Sequence, residues 1–235
     1  MFAIFKKEVR FYFYSPIAYI LIGLFVLMVS VFFYLGNIKG LSADFTQMIG
    51  TISFILIFII PILTMRILSE DRKNGTEVLY ITSPISLSSM VIGKYLAMLF
   101  VFFVMVCVTI IYPIIIFAFG SPPIAPLISS YIGLILLGAC FISIGVFASS
   151  LTENQIVSVI ISFVCLLFIQ LIDSLGGAVG GIVANMLHWF SLQSRYADFT
   201  SGQLSLASIV YYLSFIAVFL FLTIRVIEKR RWSQG

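Results

Sequence analysis

The sequence predicts an all-α membrane protein: six transmembrane helices, an N-terminal interfacial helix, and both termini on the cytoplasmic side. Three observations carry this. Hydrophobic residues make up 62% of the 235 and charged residues 9%, with a mean hydropathy of +1.20, far more apolar surface than a soluble domain of this length needs. Six apolar runs recur, each about 19 to 25 residues long, the length that a hydrocarbon core roughly 30 Å thick demands of a helix. Eleven of the thirteen basic residues fall on the side that holds both termini, leaving only Lys39 and Arg195 opposite, as expected when inner segments collect Lys and Arg.

The chain opens with residues 1–14, where Phe2, Ile4, Phe5, Val9 and Phe13 alternate with Lys6, Lys7, Glu8 and Arg10 at roughly helical spacing. That pattern predicts an amphipathic elbow helix lying in the membrane interface. Ser15-Pro16 ends it and starts the first span, residues 17–35, which Gly36-Asn37 closes. No small-residue cleavage signature follows, so the run reads as a retained span. The second span covers residues 47–65, with Pro61 near its inner end, and the third covers 95–119, with a kink expected at Pro113. A Pro-rich turn from Gly120 to Pro126 leads into the fourth, residues 127–149, where Gly138 and Gly145 share a face and predict close helix packing. The connector Ser150 to Gln155 leads to the fifth, 156–175, and the sixth covers 207–227 before a tail with Glu228, Lys229, Arg230 and Arg231.

Between the second and third spans, residues 66–94 form the one long polar interruption. Arg66, Glu70, Asp71, Arg72, Lys73, Glu77 and Lys94 account for seven of the chain's 22 formal charges. Asn74-Gly75 signals a turn, because both residues tolerate positive φ. Thr76 can cap a short helix over residues 77–81 that Ser83-Pro84 ends, and Ser86 can cap the helix after it. The product is a short helix across the membrane surface. It is either a partner contact or an ordinary solvated loop.

Between the fifth and sixth spans, residues 176–205 are long for a loop and not polar enough to be one; the mostly apolar piece at 176–190, about 15 residues, is too short to span again, which suits re-entrant half-helices packed against protein. Trp189, Phe190 and Tyr196 would rest at the interface, and His188 and Arg195 serve equally well as headgroup, structural or substrate contacts.

Several chemistries lack their residues. A charge at a span centre costs about 3 kcal/mol, and none of the six spans holds one near the midplane. Asp173 and Arg225 lie within a turn of span ends, where they reach water. This argues against proton- or sodium-coupled transport. The single His188 has no Glu or His at metal spacing, and Cys107, Cys140 and Cys165 all sit inside apolar runs as small core residues. No phosphate-binding GxxxxGK[ST] motif occurs, since Gly93-Lys94-Tyr95 lacks the leading glycine and the hydroxyl. The net charge of +4 follows from membrane orientation, and no nucleic-acid partner is expected. A multispan chain with no energy source of its own and one prominent surface helix points to work driven from outside.

Four blocks resemble a known family. They are Phe5-Lys6-Lys7-Glu8-Val9-Arg10 with Ser15-Pro16-Ile17-Ala18-Tyr19; Met65-Arg66 through Asn74-Gly75-Thr76-Glu77 with Thr82-Ser83-Pro84-Ile85-Ser86 and Gly93-Lys94; Gly145 with Ser149 to Gln155; and Tyr211-Tyr212-Leu213-Ser214 with Glu228 to Trp232. In order and spacing the chain resembles a permease subunit of the ABC-2 type exporters, near the gliding-motility-associated and nitrous-oxide-reductase-maturation branch. The resemblance implies a multi-pass subunit of a bacterial or archaeal plasma membrane, paired with a second permease subunit, alike or different, and with separate ATP-binding subunits. ATP and Mg would sit on those partners, so this chain would carry no cofactor and no catalytic site, while the assembled complex would be an ATPase. The family's coupling helix falls on Glu70, Asp71, Arg72, Lys73, Gly75, Thr76, Glu77, Ser83 and Pro84, whose charges would complement the ATP-binding subunit. Its elbow falls on Lys6, Lys7, Glu8 and Arg10, and the segment closing its outer mouth falls on His188, Trp189, Arg195 and Tyr196. Arg195-Tyr196 stands where the family commonly has a His-aromatic pair, so no substrate carries over.

On this reading the chain moves an apolar or amphipathic cargo, a choice that hydroxyl and glycine positions such as Thr51, Ser53, Thr109, Ser143, Gly145, Ser158 and Ser162 favour over a simple ion. The alternative is a scaffold that anchors ATPases or an extracellular accessory partner and moves no solute. Membrane lipid is a partner on either reading.

Overall fold

The structure, a computed structural model, describes residues 1–40, 45–76, 86–120, 122–179 and 191–233. The expected short helix at 77–81, together with Glu77, Ser83, Pro84, His188 and Trp189, lies outside the described residues.

Helix α1 (Phe2–Tyr14) ends where Ser15 turns extended and caps α2 (Pro16–Phe33), accepting from Ile17 N, with Pro16 at the first helical position. The expected close at Gly36-Asn37 does not occur. A π-helical turn, Tyr34–Ile38, carries the helix on, with Asn37 buried. Helix α3 (Thr46–Thr64) follows, then the short α4 (Ser69–Lys73), then α5 (Leu87–Thr109), which Ser86 caps by accepting from Ser89 N.

The break expected at Pro113 falls one turn earlier, between α5 and α6 (Ile111–Phe119), for a local reason. Pro113 has no N–H to give to the carbonyl four residues before it, which belongs to Thr109. The Tyr131 hydroxyl donates to that carbonyl instead, at 3.2 Å. Helix α7 (Ile124–Leu151), α8 (Gln155–Val179), the nine-residue α9 (Leu192–Thr200) and α10 (Leu206–Ser233) complete the described chain.

Five of these stretches are long and apolar enough to cross a membrane: Pro16–Ile38, Met48–Lys73, Leu87–Phe119, Ile124–Leu151 and Leu206–Arg230. The remaining expected span corresponds to α8, in which Gln155–Leu171 forms a shorter apolar helix among the described residues. Helix α7 runs through the middle of the bundle against α3, α5, α8, α9 and α10. Its most apolar stretch is 78% buried, against 17% for α10, so α7 meets protein all round while α10 turns most of its surface outward.

Small residues make the central position possible. A Cβ on Gly138 would enter the ring of Phe102, one on Gly145 would strike the Thr64 side chain, and one on Gly133 would lie 2.7 Å from Phe199 Cβ. The face expected from Gly138 and Gly145 is therefore a packing face, and it extends to Gly133.

Candidate functional site

Lys94 of α5, Ser149 at the end of α7 and Glu153 of the α7–α8 connector meet α4, and α1 joins them through Lys94. At five residues α4 is barely more than one turn, too short to hold its own conformation, so its contacts must hold it. Its N-cap position is Leu68, which has no side-chain acceptor. Ser149, from the end of α7, fills that role: its Oγ accepts from Leu68 N and Ser69 N, both at 3.1 Å, and donates to Met65 O at 3.0 Å.

Lys94 is the hub. The sequence reading placed it at the edge of the polar loop, but α5 begins at Leu87, so Lys94 lies two turns inside a helix and is 1% exposed. Its Nζ meets Asp71 Oδ2 at 2.6 Å, Glu8 Oε1 at 2.8 Å and the Ile67 carbonyl at 2.8 Å. An ammonium buried without partners would cost several kcal/mol; two carboxylates and a carbonyl offset that here. Lys7, more than half exposed, stands 3.9 Å from Glu8 and completes the charge balance. One side chain of α5 thus holds α1 and α4 together.

Glu8 departs from the expected polar face of α1. The face of α1 that packs on the bundle is Ile4, Glu8 and Tyr12, a row at four-residue spacing, whereas Phe2 is 75% exposed. Tyr12 donates to Leu63 O at 2.8 Å. Burial, with Glu8 close by, pushes its phenol well above the usual range and keeps it a donor.

The charges of α4 largely face inward. Glu70 takes a bidentate pair from Arg66 at 2.6 and 2.9 Å, and the Arg66 guanidinium lies 5.2 Å from the ring centre of Phe11 on α1. Arg72 reaches the α7–α8 connector, 2.7 Å from Glu153 Oε1 and 3.4 Å from the Leu151 carbonyl. Asp71 also accepts from Thr76 Oγ1 at 2.9 Å. So Glu70, Asp71 and Arg72, expected to complement a partner, also have ion-pair partners within the chain. Lys73, Asn74 and Gly75 form the exposed tip, and Gly75 takes the positive φ of +70° that the turn needs. Arg230 from α10 donates to the Ser150 carbonyl and ties the last helix to the same corner.

At the opposite end α9 is fastened on three sides. Ser191 caps it, Ser129 of α7 donates to Phe199 O at 2.6 Å, and Tyr212 of α10 donates to Leu192 O at 2.8 Å. Asp198 accepts from Ser208 at 2.9 Å, and Gly202, at φ +87°, turns the chain against Pro126. Tyr196 is buried on Gly133, and Arg195 lies 5.7 Å from the ring centre of Tyr211. Of the hydroxyls that favour an apolar or amphipathic cargo, Ser53, Thr109 and Ser143 are buried and donate to carbonyls of their own helices, while the buried Ser158 and Ser162 hydroxyls have no hydrogen-bond partner among the described residues.

Residues 35–228 match the family model described as ABC-2 family transporter protein. The match covers α3 to nearly the end of α10 and is to the family, not to a branch within it. No curated protein matches the chain.

Proposed function

This chain belongs to the ABC-2 transporter family, and on that premise we propose that its charged end receives the push of an ATP-binding subunit and passes it into the bundle. As a family member it is a multi-pass permease component of an ABC transporter, working with a separate ATP-binding subunit. The charged end is then the cytoplasmic one, in line with the placement of eleven basic residues. The exposed tip Lys73-Asn74-Gly75 is the contact, and α4 is the lever.

The observation that carries this reading is the burial of Lys94 between Glu8 and Asp71. A displacement of α4 has no slack to take it up: Lys94 transfers it to α5 and α1, Ser149 and Arg72 to α7 and its connector. Close-packed interiors transmit such shifts rather than absorb them. The work is export of an apolar or amphipathic cargo along a path formed with a second permease subunit, and the α9 corner, fastened to α7 and α10, closes its outer end.

The test is reconstitution of the chain with the ATP-binding subunit of its source. Lys73→Glu with Asn74→Glu should lower both co-purification and ATP hydrolysis by the complex, while Lys39→Glu at the opposite end should not. Unchanged association and hydrolysis in the tip variant would remove α4 as the contact.

A further inference from the structure

The face of α1 turned away from Lys94 borders a groove. On one side it opens as a cavity of about 540 Å³ with Lys6, Arg10, Phe13 and Tyr14 at its wall and Tyr19 of α2 opposite. Past Phe2 and Phe5, which line both, lies a second cavity of about 390 Å³ walled by Leu96, Leu99, Phe100 and Phe103 of α5. Phe5 meets Phe100 edge-on at 6.0 Å, so the two halves share one aromatic floor.

Charge and direction both say what fits. Lys6 and Arg10 are four residues apart on a helix, about 5–6 Å between Cβ atoms, so both can reach one phosphodiester. Among the described residues neither has a carboxylate partner: Glu8, the one acidic residue of α1, points to the other side and holds Lys94. Arg10 lies over the Tyr14 ring, its guanidinium 6.0 Å from the ring centre. From Leu96 to Phe103 the apolar wall runs roughly 10 Å away from the charged end, into the level that the spans occupy. An acidic peptide would want the two cations but not a wall leading into the membrane. A phospholipid with a net negative headgroup wants both.

We propose that this groove binds an anionic phospholipid, its phosphodiester between Lys6 and Arg10 and one acyl chain along α5 over Leu99 and Phe103. The site involves this chain alone and does not depend on the export reading.

The test uses the full chain in phosphatidylcholine vesicles containing a small fraction of phosphatidylglycerol with a photoactivatable acyl chain, followed by peptide mapping. Label should concentrate between Leu96 and Phe103. Each basic residue near an anionic headgroup contributes about 1 kcal/mol, so Lys6→Gln with Arg10→Gln should lower it by roughly ten-fold or more. Lys229→Gln, which removes an exposed cation at the same end, should leave it unchanged. Both substituted cations are exposed, and an unchanged Tm will show that the fold is kept. Equal labelling by a phosphatidylcholine probe of the same chain length would overturn the proposal, as would full labelling of the double variant.

Discussion

Lys94 Nζ and Glu8 Oε1 lie 2.8 Å apart across 86 residues of sequence, and the carboxylate of Asp71 closes on the same ammonium from a third element. The elbow, the short surface helix and the third long helix are thereby one body.

Lys94→Met should destabilise the chain by about 3–5 kcal/mol, because it removes the buried ammonium between Glu8 and Asp71, and Lys7, more than half exposed and 3.9 Å from Glu8, replaces it only in part. Adding Glu8→Gln and Asp71→Asn to the same chain should recover most of that loss. Denaturant unfolding in a fixed detergent reads both; a single variant within 1 kcal/mol of the parent would mean that the pair is not buried as described.

Gly138→Ala should cost about 1–3 kcal/mol, since the added methyl enters the ring of Phe102. In a chain that already carries Phe102→Leu the same change should be nearly free. A double-mutant cycle on Tm measures the coupling, and additivity would show that α7 and α5 do not meet there.

Tyr131→Phe removes the donor that serves the Thr109 carbonyl and should cost about 1 kcal/mol. With Pro113→Ala, residue 113 regains an N–H that can take that carbonyl, so the cost of Tyr131→Phe should shrink. An equal cost in both backgrounds would detach the tyrosine from the helix break.

Tyr212→Phe should loosen α9 without touching the charged end, because its hydroxyl holds the Leu192 carbonyl at the first turn of that helix. Hydrogen exchange should rise across 192–200 and stay unchanged in α3 and α5. Unaltered exchange in α9 would show that its other fastenings suffice.

Much of the fold could be read from local chemistry. Ser15-Pro16 and Ser86 act where their side chains predict, and Gly138 and Gly145 mark the packing face, because caps and small residues work within a turn or two of themselves. The interior of the site could not be read that way. Two rows run along α1, Phe2-Phe5-Val9-Phe13 and Ile4-Glu8-Tyr12, and amphipathic spacing alone does not say which faces protein and which faces lipid. Glu8 therefore read as solvated although it is buried. Lys94 had a usable signal: the Ser86 cap already puts it eight residues into the helix, too far in for a loop charge. Its partners Glu8 and Asp71 come from distant segments, and only packing brings them together. Ser149 belongs to one of the family-like segments, yet its capping of another helix has no local signature. The expected break at Gly36-Asn37 failed because a π-helical turn can carry both residues.

The most direct test of the central claim is a spin-label distance between the exposed Ala3→Cys on α1 and the half-buried Thr76→Cys, just past the tip that meets the ATP-binding subunit, with Cys107, Cys140 and Cys165 replaced by alanine. It is measured in the complex with the ATP-binding subunit, without nucleotide and with ATP. If Lys94 makes α1, α4 and α5 one body, the distance is a single narrow peak that ATP does not move, and Lys94→Met broadens it. A peak that shifts or splits on ATP binding while Lys94 is intact would mean that α4 moves by itself, contradicting the account.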